Sequence, residues 1–205
     1  MSKWINTIFN QDTQFTTPLP DKNFLSCISK ETRILDIGCG YGFLSYMLAL
    51  TGPLRVVKGI DYDSVKIKIA NQGYLRSQSL KFEQVNALNY SFESYEGIVL
   101  SDVLHYLQPS EQELLMENCF KSLSQNGILL IREGMSDQQI AHRGTRLTEI
   151  FSTQILGFNK TAEKGLSFIS SAFIYAMGQK YNMEVSTVAQ ARYTSNALFV
   201  LKKKG

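Results

Sequence analysis

Short apolar runs alternate with amphipathic stretches along the first two thirds of the chain. Runs rich in aliphatic and β-branched residues predict β-strands at 33–38, 54–61, 80–87, 97–103 and 127–133. The stretches between them predict helices at 43–50, at 64–78 and from Ser110 to Gln125. Strands that alternate with helices pair in parallel through right-handed crossovers. The pattern therefore predicts an α/β fold built on a doubly wound sheet.

Local signals set the expected boundaries of the later elements. Ser110 and Glu113 match the S-x-x-E capping box of a helix start, and Asn126 followed by Gly127 is expected to stop that helix. The last third of the chain is compatible with helices at 137–156 and 166–180, followed by strands at 183–190 and 195–202. Those two strands are close enough in sequence to form a hairpin.

Composition narrows the class of protein. The chain has 205 residues, 44% hydrophobic and 19% charged, which fits one globular domain without a linker. Its formal net charge of +3 is too weak for a nucleic-acid-binding surface. Cys27, Cys39 and Cys119 form no CxxC pair, so neither a disulfide framework nor a zinc site is indicated. Without a signal peptide or a membrane-spanning run, we expect a cytoplasmic protein.

A glycine-rich turn, ILDIGCGYG at 34–42, follows the first predicted strand. Ligands of open parallel sheets bind beyond the carboxyl ends of the strands, so this turn is a candidate nucleotide site. A dinucleotide fingerprint needs its third glycine at position 43, where Phe43 stands, and no G-K-[ST] follows for a phosphate loop. An NAD-linked oxidoreductase is therefore disfavoured.

The same turn resembles the first motif of class I S-adenosylmethionine-dependent methyltransferases of the small-molecule type, in which an acid precedes G-x-G-x-G. Asp36 is that acid here, and the resemblance implies that it approaches the cofactor's amino group directly or through water. Gly38, Cys39 and Gly40 would line the cofactor. The resemblance also implies a Rossmann-like, mostly parallel sheet of seven strands with an antiparallel last strand.

Three further strand ends match the family in order, and they complete the implied cofactor-binding set with Asp61, Tyr62, Asn86, Ala87, Ser101 and Asp102. The family's acid at the position of Asp61 accepts from both ribose hydroxyls, which suits an acceptor-only carboxylate. Asp61 could instead cap the following helix, and Asp102 could satisfy loop amides. Asn86 departs from the acid that the family often places against adenine, although an amide can still bond the exocyclic amine.

His105, in LSDVLHYL, is the candidate catalytic base because an imidazole accepts a proton near neutral pH; the alternative is that it packs against the sheet. The candidate acceptor-binding residues are Tyr106, Arg132, Glu133, Arg143 and Arg146. The last two could hold a carboxylate or phosphate, or belong to a solvated helix face. The two histidines lack ligand spacing with carboxylates, so no metal is expected.

The resemblance implies an enzyme that moves a methyl group to a small-molecule acceptor by in-line displacement, leaving S-adenosyl-L-homocysteine. Residues 1–30 would form an amino-terminal cap region, 31–135 the cofactor-binding core, and 136–205 the acceptor-site helices and closing hairpin. The alternative is a non-catalytic S-adenosylmethionine-binding subunit or regulatory domain. No nucleic acid or membrane span is expected, and the protein would be a monomer or homodimer.

Two segments carry a second resemblance. DVLHYL and HRGTRLTEIFSTQILGFNK resemble bacterial methyltransferases of aryl polyene or flexirubin-type lipid biosynthesis. This resemblance implies an aromatic or acyl-linked methyl acceptor.

Overall fold

The computed structural model describes residues 32–52, 54–73, 79–137, 166–190 and 196–204. Its strands are β1 (Arg33–Ile37), β2 (Val56–Asp61), β3 (Leu80–Gln84), β4 (Tyr95–Ser101), β5 (Leu123–Gly134), β6 (Met183–Gln190) and β7 (Asn196–Lys203). Its helices are α1 (Phe43–Leu50), α2 (Ser64–Ala70), α3 (Pro109–Ser122) and α4 (Ser171–Lys180), with short 3-10 turns at Ala87–Asn89 and Leu104–Tyr106. Helices therefore follow β1, β2 and β4, as the pattern predicts.

The strands of these ranges form one sheet in the order β3-β2-β1-β4-β5-β7-β6. Strands β1 to β5 pair in parallel, whereas β7 runs antiparallel to both of its neighbours. The predicted Rossmann-like sheet with an antiparallel last strand is thereby confirmed. The strand order reverses between β1 and β4, so the carboxyl ends of these two strands form the crevice where ligands bind in such sheets.

The core lies on both faces of the sheet. Leu35 and Ile37 belong to one apolar cluster and Ile34 belongs to another, because successive side chains of a strand point to opposite faces. All three side chains are fully buried. Cover on both faces explains why β1 reads as a continuous apolar run rather than an alternating one.

The predicted end of α2 and the predicted start of α3 are wrong. Helix α2 ends at Ala70 rather than continuing to 78, because Asn71 caps it and Gly73 follows in a non-helical position. Residues 74–78 lie outside the described residues. Helix α3 begins at Pro109 rather than after Ser110, since the Glu111 carboxylate accepts the backbone N–H of Gln108 at 2.8 Å. The working cap therefore lies two residues before the predicted one.

The end of α3 also differs from the prediction. The helix stops at Ser122, and β5 begins at Leu123 instead of Gly127. Leu123 pairs with Tyr95 at the start of β4, and a register irregularity follows before Gly97 pairs with Ile128. Pairing with β4 thus outweighs the helix propensity of 123–125.

The predicted closing hairpin is confirmed, since β6 and β7 pair from Met183 with Lys203 onwards. Helix α4 begins at Ser171 rather than near 166, because the Ser170 side chain accepts the N–H of Phe173 and caps it. Of the helix predicted at 137–156, only residue 137 is described. Among the described helices, none is long and apolar enough to cross a membrane.

Candidate functional site

The turn after β1 packs directly against the turn after β4. Gly38 has a left-handed φ of 72°, and a Cβ atom at this position would collide with Cγ2 of Val103. The N–H groups of Gly38 and Cys39 both donate to the carbonyl of Ile60, at 2.8 and 3.0 Å. The glycine turn is therefore fixed between the ends of β2 and β4.

Gly40 has a different surrounding. Its φ of 55° is also left-handed, but nothing lies within 4 Å of the place where a Cβ atom would stand. Gly38 is thus required by packing, whereas Gly40 leaves open space beside the backbone. Such space lets a ligand approach the main chain closely.

The Asp61 carboxylate, at the end of β2, is tied to this turn. Its Oδ2 accepts the N–H of Gly40 and its Oδ1 accepts the N–H of Asp63, both at 2.9 Å. Asp61 is 7% exposed. Asp63, not Asp61, caps α2, because its Oδ1 accepts the N–H groups of Val65 and Lys66. Each Asp61 oxygen keeps a further lone pair for a ligand hydroxyl.

Asp36 lies beneath the turn with an exposed fraction of 1%. The Ser45 hydroxyl, on α1, donates to its Oδ2 at 2.6 Å. Burial raises the pKa of Asp36 to about 7; the Ser45 hydrogen bond opposes this rise and the nearby Asp61 charge adds to it. The contact that the structure shows for Asp36 is therefore to Ser45, and its approach to the cofactor stays a prediction.

The end of β3 carries Asn86 and Ala87. The Asn86 side-chain oxygen accepts the N–H of Leu88 at 2.9 Å and caps the 3-10 turn that Ala87 begins. Tyr62 is exposed directly after Asp61. The contacts predicted between these residues and adenine stay predictions.

At the end of β4, Asp102 and Arg132 form an ion pair. The N–H of Asp102 also donates to the Arg132 carbonyl at 2.9 Å, and Ser101 lies 3.4 Å from the same carboxylate. Asp102 has a φ of 55°, which is uncommon for a residue other than glycine. A predicted cofactor residue and a predicted acceptor residue thus meet in one pair, which no sequence motif indicated.

His105 and Glu133 form the second pair of the site, through Nδ1 and Oε1. Glu133 is 1% exposed, and it also accepts the N–H of Leu104 at 2.9 Å and that of Gly134 at 3.1 Å. An ionised carboxylate only accepts hydrogen bonds, so beside ionised Glu133 a neutral imidazole has its proton on Nδ1 and its lone pair on Nε2. The contacts that the structure shows for Glu133 are with His105 and with the backbone of Leu104 and Gly134, and its place in the acceptor site stays a prediction.

Two aromatic rings flank the imidazole of His105. The Tyr106 ring lies 4.0 Å away between centroids, and the Phe168 ring stacks on it at 5.5 Å with an interplanar angle of 19°. The N–H of Ser167 donates to the His105 carbonyl at 2.9 Å. The rings of Tyr106 and Phe168 thus both contact the imidazole; the acceptor-binding role of Tyr106 stays a prediction, and Phe168 was not among the predicted site residues.

Gln112 is a further residue that the motifs missed. It lies on α3 and is 3% exposed, and its side chain bonds the turn that carries His105. One signal was present: Gln112 is the polar member of a helical stripe whose other members are Leu115, Met116, Cys119 and Phe120. A polar side chain at a core position needs a partner, which points to a specific contact.

Two predicted acceptor residues, Arg143 and Arg146, lie outside the described residues, as do residues 1–30 of the predicted cap region. In the ranges that the structure covers, no three His, Cys, Asp or Glu side chains are grouped so as to hold a metal ion.

Comparison with known proteins gives three findings about the sequence. A family described as "Methyltransferase domain" matches residues 28–183. A carboxy-S-adenosyl-L-methionine synthase of Helicobacter pylori (strain Shi470) is 28% identical over 123 residues, which cover 58% of this chain and 51% of that protein. The chain thus spans about half the length of the curated relatives it matches first.

Solved structures share the fold. Human N-acetylserotonin methyltransferase in complex with SAM superposes with a TM-score of 0.65 and 14% identity, over 90% of this chain and 51% of that one. The N-methyltransferase NodS of Bradyrhizobium japonicum WM9, in complex with S-adenosyl-L-homocysteine, has a TM-score of 0.61 and 15% identity over 99% and 98% of the two chains.

Proposed function

The chain belongs to the methyltransferase domain family, and from this premise we propose that it binds S-adenosylmethionine at the ends of β1, β2 and β4 and methylates a small-molecule acceptor. The observation that carries the proposal is the contact between Asp61 and Gly40. It joins a carboxylate, which accepts hydrogen bonds from a ligand hydroxyl, to a turn with open space beside its backbone.

The residues present fit this cofactor. A nucleoside can approach the main chain at Gly40, and the Asp61 oxygens keep lone pairs for two ribose hydroxyls. Cys39 lies in the same turn, and Tyr62 and Asn86 follow the adjacent strand ends. When bound, S-adenosylmethionine supplies an electrophilic methyl group on a sulfonium. The chain then has mainly to align the acceptor, so positioning accounts for most of the rate.

His105 is the proposed base. Glu133 holds Nδ1–H, so the Nε2 lone pair is the one that can take a proton from an acceptor hydroxyl or amine. A carboxylate that orients an imidazole favours an enzyme over a non-catalytic binding subunit. We place Tyr106 and Arg132 at the acceptor, because the Tyr106 ring contacts the His105 imidazole and Arg132 pairs with Asp102 at the end of β4.

The acceptor proposed from the second resemblance is aromatic or acyl-linked. Phe168 and Tyr106 beside His105 support an aromatic one, since flat rings stack on aromatic side chains. The division into a cofactor-binding core at 31–135 and an acceptor region at 136–205 is part of the same proposal.

Thermal unfolding with S-adenosyl-L-homocysteine tests the cofactor site. A ligand at 100 times its dissociation constant stabilises by about 2.7 kcal/mol, which for a chain of this length raises Tm by roughly 5–11 °C. Asp61→Asn should abolish this rise. Asp63→Asn is the matched control: it makes the same change two residues away, keeps a good helix cap, and should keep the rise.

Two results would contradict the proposal. One is no rise with S-adenosyl-L-homocysteine in a folded sample free of copurified cofactor. The other is an equal rise with NAD, which would indicate a general nucleotide site instead.

A further inference from the structure

We infer that Gln112 is a positioning residue for His105. Its buried amide holds the backbone near the imidazole in place, and this keeps the ring hydrogen-bonded to Glu133. The catalytic meaning of this inference rests on the proposed function. The geometry on which it stands does not, because it consists of hydrogen bonds between α3, the turn after β4 and the residues preceding α4.

The NH2 group of the Gln112 side chain donates hydrogen bonds to three carbonyl groups. Its Nε2 donates to Leu104 at 3.0 Å, to Leu107 at 3.1 Å and to Ser167 at 2.7 Å. An amide nitrogen carries two hydrogens, so at least one of them is shared between two carbonyls. Leu104 and Leu107 flank His105 in sequence, and Gln112 therefore holds the turn on both sides of the imidazole.

The third carbonyl belongs to a segment that touches His105 directly. The N–H of Ser167 donates to the His105 carbonyl, and the adjacent Phe168 ring stacks on the imidazole. Ser167 is thus bonded to Gln112 through its carbonyl and to His105 through its N–H. One amide connects the backbone of the proposed base with the backbone of its stacking neighbour.

The far side of this segment is anchored to the two residues that directly follow β5. Ile169 pairs with Met135, and its carbonyl accepts the N–H of Ser136 at 2.9 Å. Glu133 lies in β5, two residues before Met135, and its side chain contacts His105. The segment is therefore held between the end of β5 and Gln112, and loss of the Gln112 bonds leaves the side that faces the imidazole held by the Ser167–His105 backbone bond without the amide.

Packing alone does not explain a glutamine here. The other buried members of the α3 stripe are Leu115, Met116, Cys119 and Phe120, so an apolar residue would continue the stripe at position 112. A buried amide is unfavourable unless it is hydrogen-bonded, and this one meets three acceptors. All three acceptors belong to the turn that carries His105 or to the segment bonded to that turn, and this arrangement indicates a positioning role for Gln112.

The test measures the His105 tautomer by ¹⁵N NMR of histidine-labelled full-length protein at alkaline pH, where the ring is neutral. His142→Gln assigns the two histidines. The wild-type protein should show one tautomer with hydrogen on Nδ1. Gln112→Met, which keeps an unbranched side chain of similar size, should lose this single tautomer and give averaged signals.

Cys119→Ala is the matched control, because Cys119 is buried on the same stripe and lies seven residues, or about two helical turns, after Gln112. It should lower stability and keep the single tautomer. Gln112→Glu, of the same shape, is the second variant and should also lose it, since its carboxylate oxygens face three carbonyls. The inference is overturned if Gln112→Met or Gln112→Glu, in folded form, keeps the wild-type tautomer, or if Cys119→Ala loses it equally.

Binding of S-adenosyl-L-homocysteine separates this inference from the proposed function. Gln112→Met should bind it as the wild-type protein does, because the three residues that Gln112 bonds, Leu104, Leu107 and Ser167, are not among the proposed cofactor-binding residues. If the wild-type protein fails to bind, the proposed function fails, while the tautomer result still decides the role of Gln112.

Discussion

Nδ1 of His105 meets Oε1 of a Glu133 carboxylate that is almost completely buried at the end of β5. The same carboxylate accepts the backbone N–H groups of Leu104 and Gly134. One side chain thus fixes the orientation of the imidazole and ties the turn after β4 to β5. The His105–Glu133 pair therefore contributes both to the proposed catalysis and to stability, and measurements on variants can separate these two contributions.

Glu133→Ala should destabilise the protein more than His105→Ala. It leaves three donors without an acceptor, and each buried unsatisfied group costs about 1–3 kcal/mol. His105→Ala removes only one of those donors. Urea unfolding of both single variants and the double variant should give a coupling energy of roughly 0.5–3 kcal/mol. Additive changes would mean that the two side chains do not interact in solution.

His105→Gln should lower turnover by roughly 10²- to 10⁴-fold, the usual contribution of a general base. Its affinity for S-adenosyl-L-homocysteine should stay unchanged, because the His105 side chain contacts Glu133, Tyr106 and Phe168, none of which is a proposed cofactor-binding residue. The measurement is methyl transfer from labelled S-adenosylmethionine to a panel of phenols and aromatic amines. Near-normal turnover with any acceptor of the panel would end the assignment of His105 as base.

Asp36 should make stability depend on pH. Its folded pKa of about 7 lies above the value of about 4 for an unfolded aspartate, so the folded state holds an extra proton between these pH values. The stabilisation is complete below about pH 4 and is lost as pH rises to about 7, at about 1.4 kcal/mol per pH unit. Above about pH 7 the dependence should end.

Asp36→Asn supplies the comparison, because it removes the titration and keeps an oxygen for the Ser45 hydroxyl. The free energy of unfolding of the wild-type protein, minus that of Asp36→Asn, should fall across this window in urea titrations. Ser45→Ala removes a bond that lowers the pKa of Asp36, so it should extend the fall to higher pH. A flat difference from pH 4 to 8 would show that Asp36 does not titrate there.

Gly38→Ala and Gly40→Ala should differ in what they damage. Both place alanine at a left-handed φ, which costs roughly 1–2 kcal/mol. Gly38→Ala also drives a methyl group into Val103, and overpacking adds about 1–3 kcal/mol to its loss of stability. Gly40→Ala has open space, so it should fold and lose affinity for S-adenosyl-L-homocysteine by roughly tenfold, or about 1.4 kcal/mol.

Calorimetric titration and urea unfolding of the two variants check this contrast. Unchanged binding by Gly40→Ala would mean that the open space beside Gly40 does not receive the cofactor. Equal stability of the two variants would contradict the contact between Gly38 and Val103.

Much of the fold was predictable because the spacing of apolar residues shows which face of each helix or strand is buried. The limits of α1 and β6 are those expected, and the parallel order follows from the alternation of strands and helices. The end of α3 was not predictable, since residues 123–125 have a local helix pattern and adopt a strand through pairing with β4. The start of that helix was predicted two residues late because two overlapping capping signals, at Gln108 and Ser110, compete in the sequence.

The candidate site was only partly predictable. The glycine turn, Asp61 and His105 lie at the carboxyl ends of β1, β2 and β4, and the sequence placed them at one edge of the sheet for that reason. The second resemblance, to methyltransferases of pigment lipid biosynthesis, stays a prediction, and its longer segment lies outside the described residues. The roles of Gln112 and Phe168 went unpredicted because they arise from contacts between distant segments.

By itself the sequence determined the order of strands and helices, the left-handed glycine turn and the set of polar residues at the strand ends, since these depend on neighbours in the chain. The tertiary structure alone decided the partners: Asp36 with Ser45, Asp102 with Arg132, and His105 with Glu133. Periodicity tells which face a side chain occupies but not which segment lies opposite it. The Asp102–Arg132 and His105–Glu133 pairs therefore exist only once parallel pairing brings β4 and β5 side by side, whereas the Asp36–Ser45 pair needs α1 to pack against the end of β1.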